Sequence, residues 1–590
     1  MCTIAGFCNF NIDFESNTPY FNHVLTTMRQ NHGADGQYLS NHIGFSCKHL
    51  SKGSKFAIVY NGTLYNAGDL KQELRKTGVV FETKSETEII LNAFIHYGPS
   101  FVEKLNGVFA FAIWNGQSLF LYRDHVGAKP LFYTVKDSTL VFASELKTLF
   151  GHPDIRPAID NNSLREIFGL GPARTPGCGV FKDVYEVLPG HYLVFSGNEL
   201  KPVRYWALES RPHKHNCEET VETVSRLVTD AIKRQMISNT PVCTLLSGGV
   251  DSSIVTAVAS NHLQESGRTL NTFSFDFKGN DEFFTANTFQ PERDRPFVDK
   301  MRKIYPLNHT YLECAEEDLV DLLDDVVHTK GLPGMADIDA SLLYFCKLVK
   351  QHNSVALTGE CADEIFGGYP WFYREELMQT NTFPWSKDMQ TRKALLSPEL
   401  LETLQLDEYV QSRYEDSLKQ VPCLAGETPQ EARRREIAYL NIMWFMQTLL
   451  TRMDRASVAV GLEARAPFAD RRIMEYLWNV PWEMKCHNGV VKGLLREAFR
   501  ALLPPELLSR KKSPFPKTYN PNYTHLLQQR LLAILDNASS PLLPLIDREK
   551  MHRFALGTQT LDNPWFGQLM AGPQLMAYFI QVDTWLRMYA

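Results

Sequence analysis

The sequence has no run of about 18 apolar residues, the length a membrane-spanning helix needs, so nothing in it predicts a transmembrane segment. It also lacks any Cys-x-x-Cys pair. Its 11 cysteines are scattered, odd in number and often set in apolar stretches such as Tyr344-Phe345-Cys346, which suits reduced, buried thiols better than a disulfide framework. The opening Met1-Cys2-Thr3-Ile4-Ala5-Gly6-Phe7 has neither the basic nor the apolar region of a secretory signal. Together these absences predict a cytoplasmic protein. Excess positive charge is missing too: 61 Lys and Arg against 67 Asp and Glu give −6, too little positive field to hold a nucleic acid or an anionic membrane. Internal repeats and low-complexity tracts are absent.

What is present is ordinary globular material. With 590 residues, 44% hydrophobic and 22% charged, the chain is too long for one core and predicts at least two large domains. Early in the chain, short apolar runs meet turn residues, as in Phe56-Ala57-Ile58-Val59-Tyr60 before Asn61-Gly62 and Val108 to Trp114 before Asn115-Gly116. Between them Thr87 to Tyr97 repeats Ile89, Ile90, Ala93 and Phe94 at helical spacing. The first part therefore mixes α and β. Polar residues from Ala207 to Glu219 mark the expected linker, giving domains 1–206 and 220–590.

Three features mimic sites. His213, His215 and Cys217 lack a fourth ligand at useful spacing and read as solvated linker. Gly169-Leu170-Gly171 lacks the third glycine of a dinucleotide fingerprint and follows a helical stretch. The acidic run Glu316 to Asp325 carries Leu319, Val320, Leu322 and Leu323 at helical spacing, as an amphipathic helix does.

Pro241 to Leu246 reads as a buried strand running into Ser247-Gly248-Gly249-Val250-Asp251-Ser252-Ser253, after which Ile254 to Ala259 continues as a helix. Two glycines let backbone N–H groups face an anion at a helix N-terminus, and Ser247, Ser252 and Ser253 supply hydroxyls. Asp251 would repel bare phosphate, so it makes sense as a ligand for bridging Mg²⁺. The loop lacks the Walker lysine, which argues against γ-phosphoryl transfer. A second strand, Leu270 to Phe277, follows at βαβ spacing and predicts a parallel sheet with helices. A third, Ser354 to Leu357, leads into Thr358-Gly359-Glu360-Cys361-Ala362-Asp363-Glu364, whose clustered carboxylates call for cations.

The segments SGGVDSS, TGECADEIFGGY, Arg452 to Asp470 and Val491-Lys492-Gly493-Leu494-Leu495-Arg496-Glu497, in this order and spacing, resemble the glutamine-hydrolysing asparagine synthetase family over nearly the whole chain. The resemblance implies an ATP-pyrophosphatase-type domain that joins a carboxylate to AMP, releases pyrophosphate and lets ammonia displace AMP. It implies that Ser247, Gly248, Gly249, Asp251, Ser252 and Ser253 hold the pyrophosphate part of ATP, with Leu245, Phe275, Thr358 and Gly359 around the nucleotide. On the same basis Asp251 and Asp363 hold Mg²⁺, Glu360 assists attack by ammonia, and Lys492 stabilises developing negative charge.

At the other end, a small residue after Met1 permits removal of the initiator, placing the Cys2 thiol beside a free α-amine able to act as its general base. Cys2 to Phe7, Tyr60-Asn61-Gly62, Ser85-Glu86-Thr87-Glu88, Lys104 to Phe111 and Arg123 to Leu131 resemble the same family's N-terminal-nucleophile glutaminase domain. The implied fold is an N-terminal-nucleophile sandwich followed by the parallel-sheet domain. Cys2 would attack the glutamine amide, Asn61 and the backbone of Gly62 would form the oxyanion hole, and Glu86 would join the glutamine pocket. Ammonia would pass to the second domain through an internal tunnel.

The pocket departs from the family pattern in several places. Asn-Gly-Glu is here Asn61-Gly62-Thr63, Glu86 replaces an Asp, and the His-Arg-Gly-Pro-Asp loop reads Asn31-His32-Gly33-Ala34-Asp35. The Arg expected to grip the glutamine carboxylate has no counterpart; Lys48 and His49 are nearby cations without its bidentate fork. The favoured expectation is amidation of aspartate with nitrogen from glutamine or free ammonia, without nucleic acid or membrane partners, in a homodimer as the family suggests. The rival readings are another carboxylate acceptor and a catalytically idle nucleotide-binding regulator.

Overall fold

The structure is a computed structural model and describes residues 3–28, 36–47, 49–52, 55–286, 290–558 and 564–590. Cys2, the stretch 31–35 and Lys48 lie outside the described residues. The chain divides into two compact units, Met1–Ser163 with Thr175–Ala207, and Leu164–Arg174 with Leu208–Ala590.

Alternation along the strands builds the first unit. Ala57–Leu64 pairs antiparallel with Gly107–Trp114, setting Asn61 opposite Ala110 and Gly62 opposite Phe109. Because successive side chains point to opposite faces, Ala57 and Val59 enter one core while Ile58 and Tyr60 enter another. The first core is shared with Cys8, Phe45, Leu140 and Phe142 of a second sheet, so two six-stranded antiparallel sheets make a sandwich. The other core is closed by helix Glu86–Tyr97 through Ile89, Ile90, Ala93 and Phe94. Ser85 caps that helix by accepting the N–H of Glu88.

The second unit carries a parallel five-stranded sheet, ordered Leu307–Cys314, Leu270–Phe277, Val242–Leu245, Val355–Leu357 and Glu463–Arg465. The chain begins the sheet at its centre, builds outward to one side, and then returns to build the other. Its direction of winding therefore reverses between Val242–Leu245 and Val355–Leu357, and the crevice beyond the carboxyl ends of those two strands is where ligands of such sheets collect. Helix Val250–Gln264 packs in the interior, with Ile254, Val255, Ala257 and Ala259 buried. The acidic run expected as an amphipathic helix is one, spanning Glu316–Lys330 with Leu319, Val320 and Leu323 inward.

One stretch of the expected first domain packs with the second unit. Residues Leu164–Arg174 belong to the second unit, tied there by Tyr578 Oη donating to the Ile167 carbonyl and Arg392 to that of Gly169. The stretch 207–219 is mostly exposed, as expected, but it is pinned at several points. Leu208 is buried, Ser210 donates to the Pro422 carbonyl, and Asn479 bonds both Glu209 and Arg211. From Cys217 it is already helix, capped by Asn216 and Glu219 in a reciprocal capping box. No helix among the described residues is long and apolar enough to cross a membrane.

Candidate active site

At the winding reversal of the second unit lies a cavity of about 250 Å³. One wall is the loop after Val242–Leu245. Gly248 turns there with φ +69°, where an added Cβ would meet Phe297 Cβ at 2.8 Å, so both conformation and space demand glycine. Gly249 is the N-cap of the 15-residue helix that starts at Val250, so that helix directs its N-terminus at the cavity. Ser247 and Ser252 hydroxyls lie 3.0 Å apart. Leu245, Ser247, Gly249, Asp251 and Ser252 line the cavity, whereas Gly248 and Ser253 do not, the Ser253 side chain being fully buried.

The opposite wall is the loop after Val355–Leu357. Thr358 donates its backbone N–H to the Arg465 carbonyl, and its hydroxyl accepts the N–H of Glu360. An added Cβ at Gly359 would meet the Ser252 nitrogen at 2.7 Å, so the two loops touch backbone to backbone only because this residue is glycine. Phe275 supplies an aromatic face beside Phe345, with ring centroids 5.2 Å apart.

Between the loops sits a compact charge cluster. Lys492 Nζ is 2.7 and 2.8 Å from the two Asp251 oxygens and 2.7 Å from Asp363 Oδ1; Lys512 pairs with Asp363 Oδ2. Lys492 is only 3% exposed and lies at the foot of helix Gly493–Ala498 in left-handed backbone, φ +55°. Burial opposes its charge, but Asp251 and Asp363 outweigh burial and raise its pKa. For Asp363 burial acts upward, and Lys492 and Lys512 together hold the group well below the usual carboxylate range. Asp251 is raised, burial exceeding the pull of Lys492. Asp251 and Asp363 thus share one cation position, and among the described residues no third acidic, His or Cys group completes a metal cluster. Two hard oxygen donors fit Mg²⁺, which characteristically takes its other ligands from water and substrate phosphates.

Glu360 also lines the cavity. Arg452 Nη2 donates to its Oε1 at 2.6 Å, while Oε2 is buried without a hydrogen bond. Burial raises the Glu360 pKa, with Arg452 opposing. Sequence reasoning missed Arg452, Lys512 and Arg510, although Arg452 opens one of the motifs and Arg510-Lys511-Lys512 is a visible basic run. Arg510, itself on the cavity wall, donates to Asp294 at 2.5 Å and to the Ser247 carbonyl at 3.3 Å, bracing the loop.

In the first unit, Asn61 is buried on its strand, and Gly62 faces its neighbour so closely that a Cβ would meet the Val108 carbonyl oxygen at 2.3 Å. Glu86 Oε2 accepts the Tyr60 hydroxyl at 2.7 Å and the Leu64 N–H at 3.1 Å, so this carboxylate braces both flanks of Asn61-Gly62. Close by in sequence to their ladder partners, Asp124 is fully buried and accepts backbone N–H groups of Phe109, Val126, Ala128 and Lys129. Arg123 donates to the carbonyls of Lys129, Val187 and Gly127. These two residues shape the Arg123-to-Leu131 loop, which the sequence motif marked without indicating why. His49, one of the two cations considered for the glutamine carboxylate, is exposed.

A doubly wound parallel sheet with a glycine–serine loop, paired carboxylates and paired lysines at its reversal point, in a chain that also carries an antiparallel sandwich, is the build of a two-part nucleotide-using enzyme. The family model described as asparagine synthase matches residues 223–587, and the glutamine amidotransferase domain model matches 1–206. The chain is 43% identical to asparagine synthetase [glutamine-hydrolyzing] 3 of Bacillus subtilis, covering 100% of this chain and 99% of that one. It is 30% identical to asparagine synthetase [glutamine-hydrolyzing] 1 of the same organism, over 82% of this chain and 81% of that one. The chain belongs to the asparagine synthase family, with an N-terminal class II glutamine amidotransferase domain, and membership implies use of ATP.

Proposed function

We propose that the protein makes asparagine from aspartate, ATP and ammonia, the ammonia coming from glutamine or from solution. The observation that carries the reading is the convergence of Asp251, Asp363 and Lys492 on the glycine–serine loop at the sheet's reversal point. A carboxylate oxygen of aspartate attacks the α-phosphorus of ATP, and the bond to pyrophosphate breaks. Ammonia then adds to the acyl carbon and AMP leaves with the bonding electrons. Ser247, Gly248, Gly249, Ser252 and Ser253 form the turn and helix start assigned to the pyrophosphate, and Leu245, Phe275, Thr358 and Gly359 surround the nucleotide. Lys492, joined by Lys512, opposes the negative charge that develops on the leaving group. Glu360, oriented by Arg452, takes a proton from the attacking nitrogen. Mg²⁺ held by Asp251 and Asp363 would neutralise charge on the pyrophosphate.

In the first domain the proposed nucleophile is Cys2, with Asn61 and the Gly62 N–H as oxyanion donors and Glu86 bracing them. We place the enzyme in the cytoplasm, as a homodimer. The deciding experiment supplies aspartate, ammonium, ATP and Mg²⁺ and identifies the products. AMP, pyrophosphate and asparagine are expected in equal amounts; ADP and phosphate would overturn the reading. A panel of other carboxylates run alongside tests the acceptor, and a better substrate than aspartate would replace it.

A further inference from the structure

The second unit holds another cavity, of about 120 Å³, that shares no lining residue with the one described above. Its wall carries Arg434 and Arg435 from helix Pro429–Leu440 and Lys485 from the turn Trp482–Lys485. Two acidic residues also line it, but both are engaged. Glu427 pairs with Arg435, and Glu431 accepts the N–H and hydroxyl of Thr428 in a capping box. His213, the remaining titratable group on the wall, is pushed toward its neutral form by burial, then by His215 and Lys485.

That leaves Arg434 and Lys485. Arg434 lies over the Trp482 ring at 4.9 Å, and its Nε is buried without a hydrogen-bond partner. The carboxylate of Glu483 attracts it without an ion pair. Lys485 is half-buried, and its ammonium makes no hydrogen bond or ion pair among the described residues. Burial, and secondarily Arg435, pushes its ammonium down to about 7, as expected for a cation facing a low-dielectric wall with no counter-charge. Among the described residues neither cation has a carboxylate at ion-pair distance, Glu483 and Glu431 acting on Arg434 only from farther off, and one ligand bearing two negative charges would pair with both. The guanidinium, fixed by its aromatic stack, presents a planar donor edge, while the ammonium supplies a point charge; that pairing suits a tetrahedral oxyanion.

We propose that this cavity is a binding site for a small, doubly charged oxyanion of the size of phosphate, held between Arg434 and Lys485. The volume excludes a nucleotide. The position also gives the site a physical connection to the cleft. The Trp482 ring packs so tightly on Gly367 that a Cβ there would meet it at 2.5 Å, and Gly367 ends the short helix that carries Asp363.

The test is equilibrium dialysis of radiolabelled inorganic phosphate against the full chain, with the nucleotide cleft filled by a non-hydrolysable ATP analogue and Mg²⁺ and with ionic strength held by chloride. One saturable site is expected. Lys485→Met and Arg434→Met should each weaken it at least about tenfold, the loss of one charge-assisted contact, whereas Lys485→Arg should retain it. Ammonium-dependent AMP formation, unchanged in these variants, shows that they are folded; if Lys485→Met does not fold, Arg434→Met decides alone. No saturable binding, or equal binding in the Met variants, overturns the proposal. Acetate should compete poorly, and competition equal to that of phosphate would overturn the requirement for two charges.

Discussion

Replacing Lys492 by Met removes the cation that Asp251 and Asp363 share, and the structure sets the size of the effect. Lys492 Nζ is within 2.8 Å of both carboxylates and 3% exposed, so the variant leaves buried negative charge where a buried pair had been. Breaking such a pair typically costs about 3–5 kcal/mol. Lys512 still pairs with Asp363, so Asp251 is the group left without a paired cation, Lys512 acting on it only from farther off. The protein can escape part of the cost by protonating it. For an ordinary aspartate at pH 7 that route costs about 4 kcal/mol, from roughly 3 pH units at ~1.4 kcal/mol each, which caps the loss. At pH 5 the cap falls to about 1.5 kcal/mol. In the parent protein the raised pKa of Lys492 means its contribution is complete below the ordinary lysine value and is lost only as pH rises through the higher folded value. Lys492 therefore stays charged between pH 5 and 8, and the change in the gap over that range belongs to the carboxylates, Asp251 above all, whose raised pKa brings its protonation closer in both proteins and more so once the lysine is gone. Urea unfolding of the second unit in EDTA should show parent and variant about 3–4 kcal/mol apart at pH 7 and converging toward pH 5. Added Mg²⁺ should recover more stability in the variant than in the parent. A gap below 1 kcal/mol, or one that does not change with pH, would refute the picture of a shared buried cation.

Other outcomes follow from single contacts. Gly359→Ala should abolish nucleotide binding, measured by dialysis of ATP, because its Cβ would lie 2.7 Å from the Ser252 nitrogen and force the two loops apart; unchanged ATP affinity would show that the loops yield. Asp124→Asn should destabilise the first unit by about 2–4 kcal/mol in thermal or urea unfolding, since an amide nitrogen then faces N–H donors that two carboxylate oxygens had satisfied. Cys2→Ala should end glutamine-dependent asparagine formation and spare the ammonium-dependent reaction, with intact mass showing Met1 removed from the parent; loss of both activities in a folded variant would count against separate half-reactions. With Thr63 in place of a carboxylate and no Arg for the glutamine carboxylate, glutamine KM should exceed that of a relative with the complete pocket by about tenfold or more, and Thr63→Glu should recover little of it. An equally low KM in a side-by-side titration would mean the pocket has been rebuilt by other residues.

Sequence alone determined the parts whose physics is local. A strand, two glycines, hydroxyls and an acidic residue in seven consecutive positions specify a turn onto a helix N-terminus whatever surrounds them, so the Ser247-to-Ser253 loop was legible at once. The strands of the first part were legible too, as apolar runs such as Phe56 to Tyr60 meeting turn residues, but their arrangement as a sandwich was implied only by the family resemblance, because a run buried on both faces carries no alternation to assign its sides. The tertiary structure decided what depends on residues distant along the chain. Lys512 lies 149 positions from Asp363 and Arg452 lies 92 from Glu360, and no periodicity links such pairs. The placing of Leu164–Arg174 with the second unit is of the same kind, since Tyr578 and Arg392 hold Ile167 and Gly169 from far along the chain. Polar composition from Ala207 to Glu219 suggests solvent, and most of the stretch is exposed, but Ser210, Arg211 and His215 are pinned by Pro422, Asn479 and Tyr476, more than 200 positions on. Whether a charge is solvated or paired is a property of what the fold brings against it, and that is also why Lys485, an unremarked lysine in the sequence, becomes a cation without a partner only once helix Pro429–Leu440 is packed beside it.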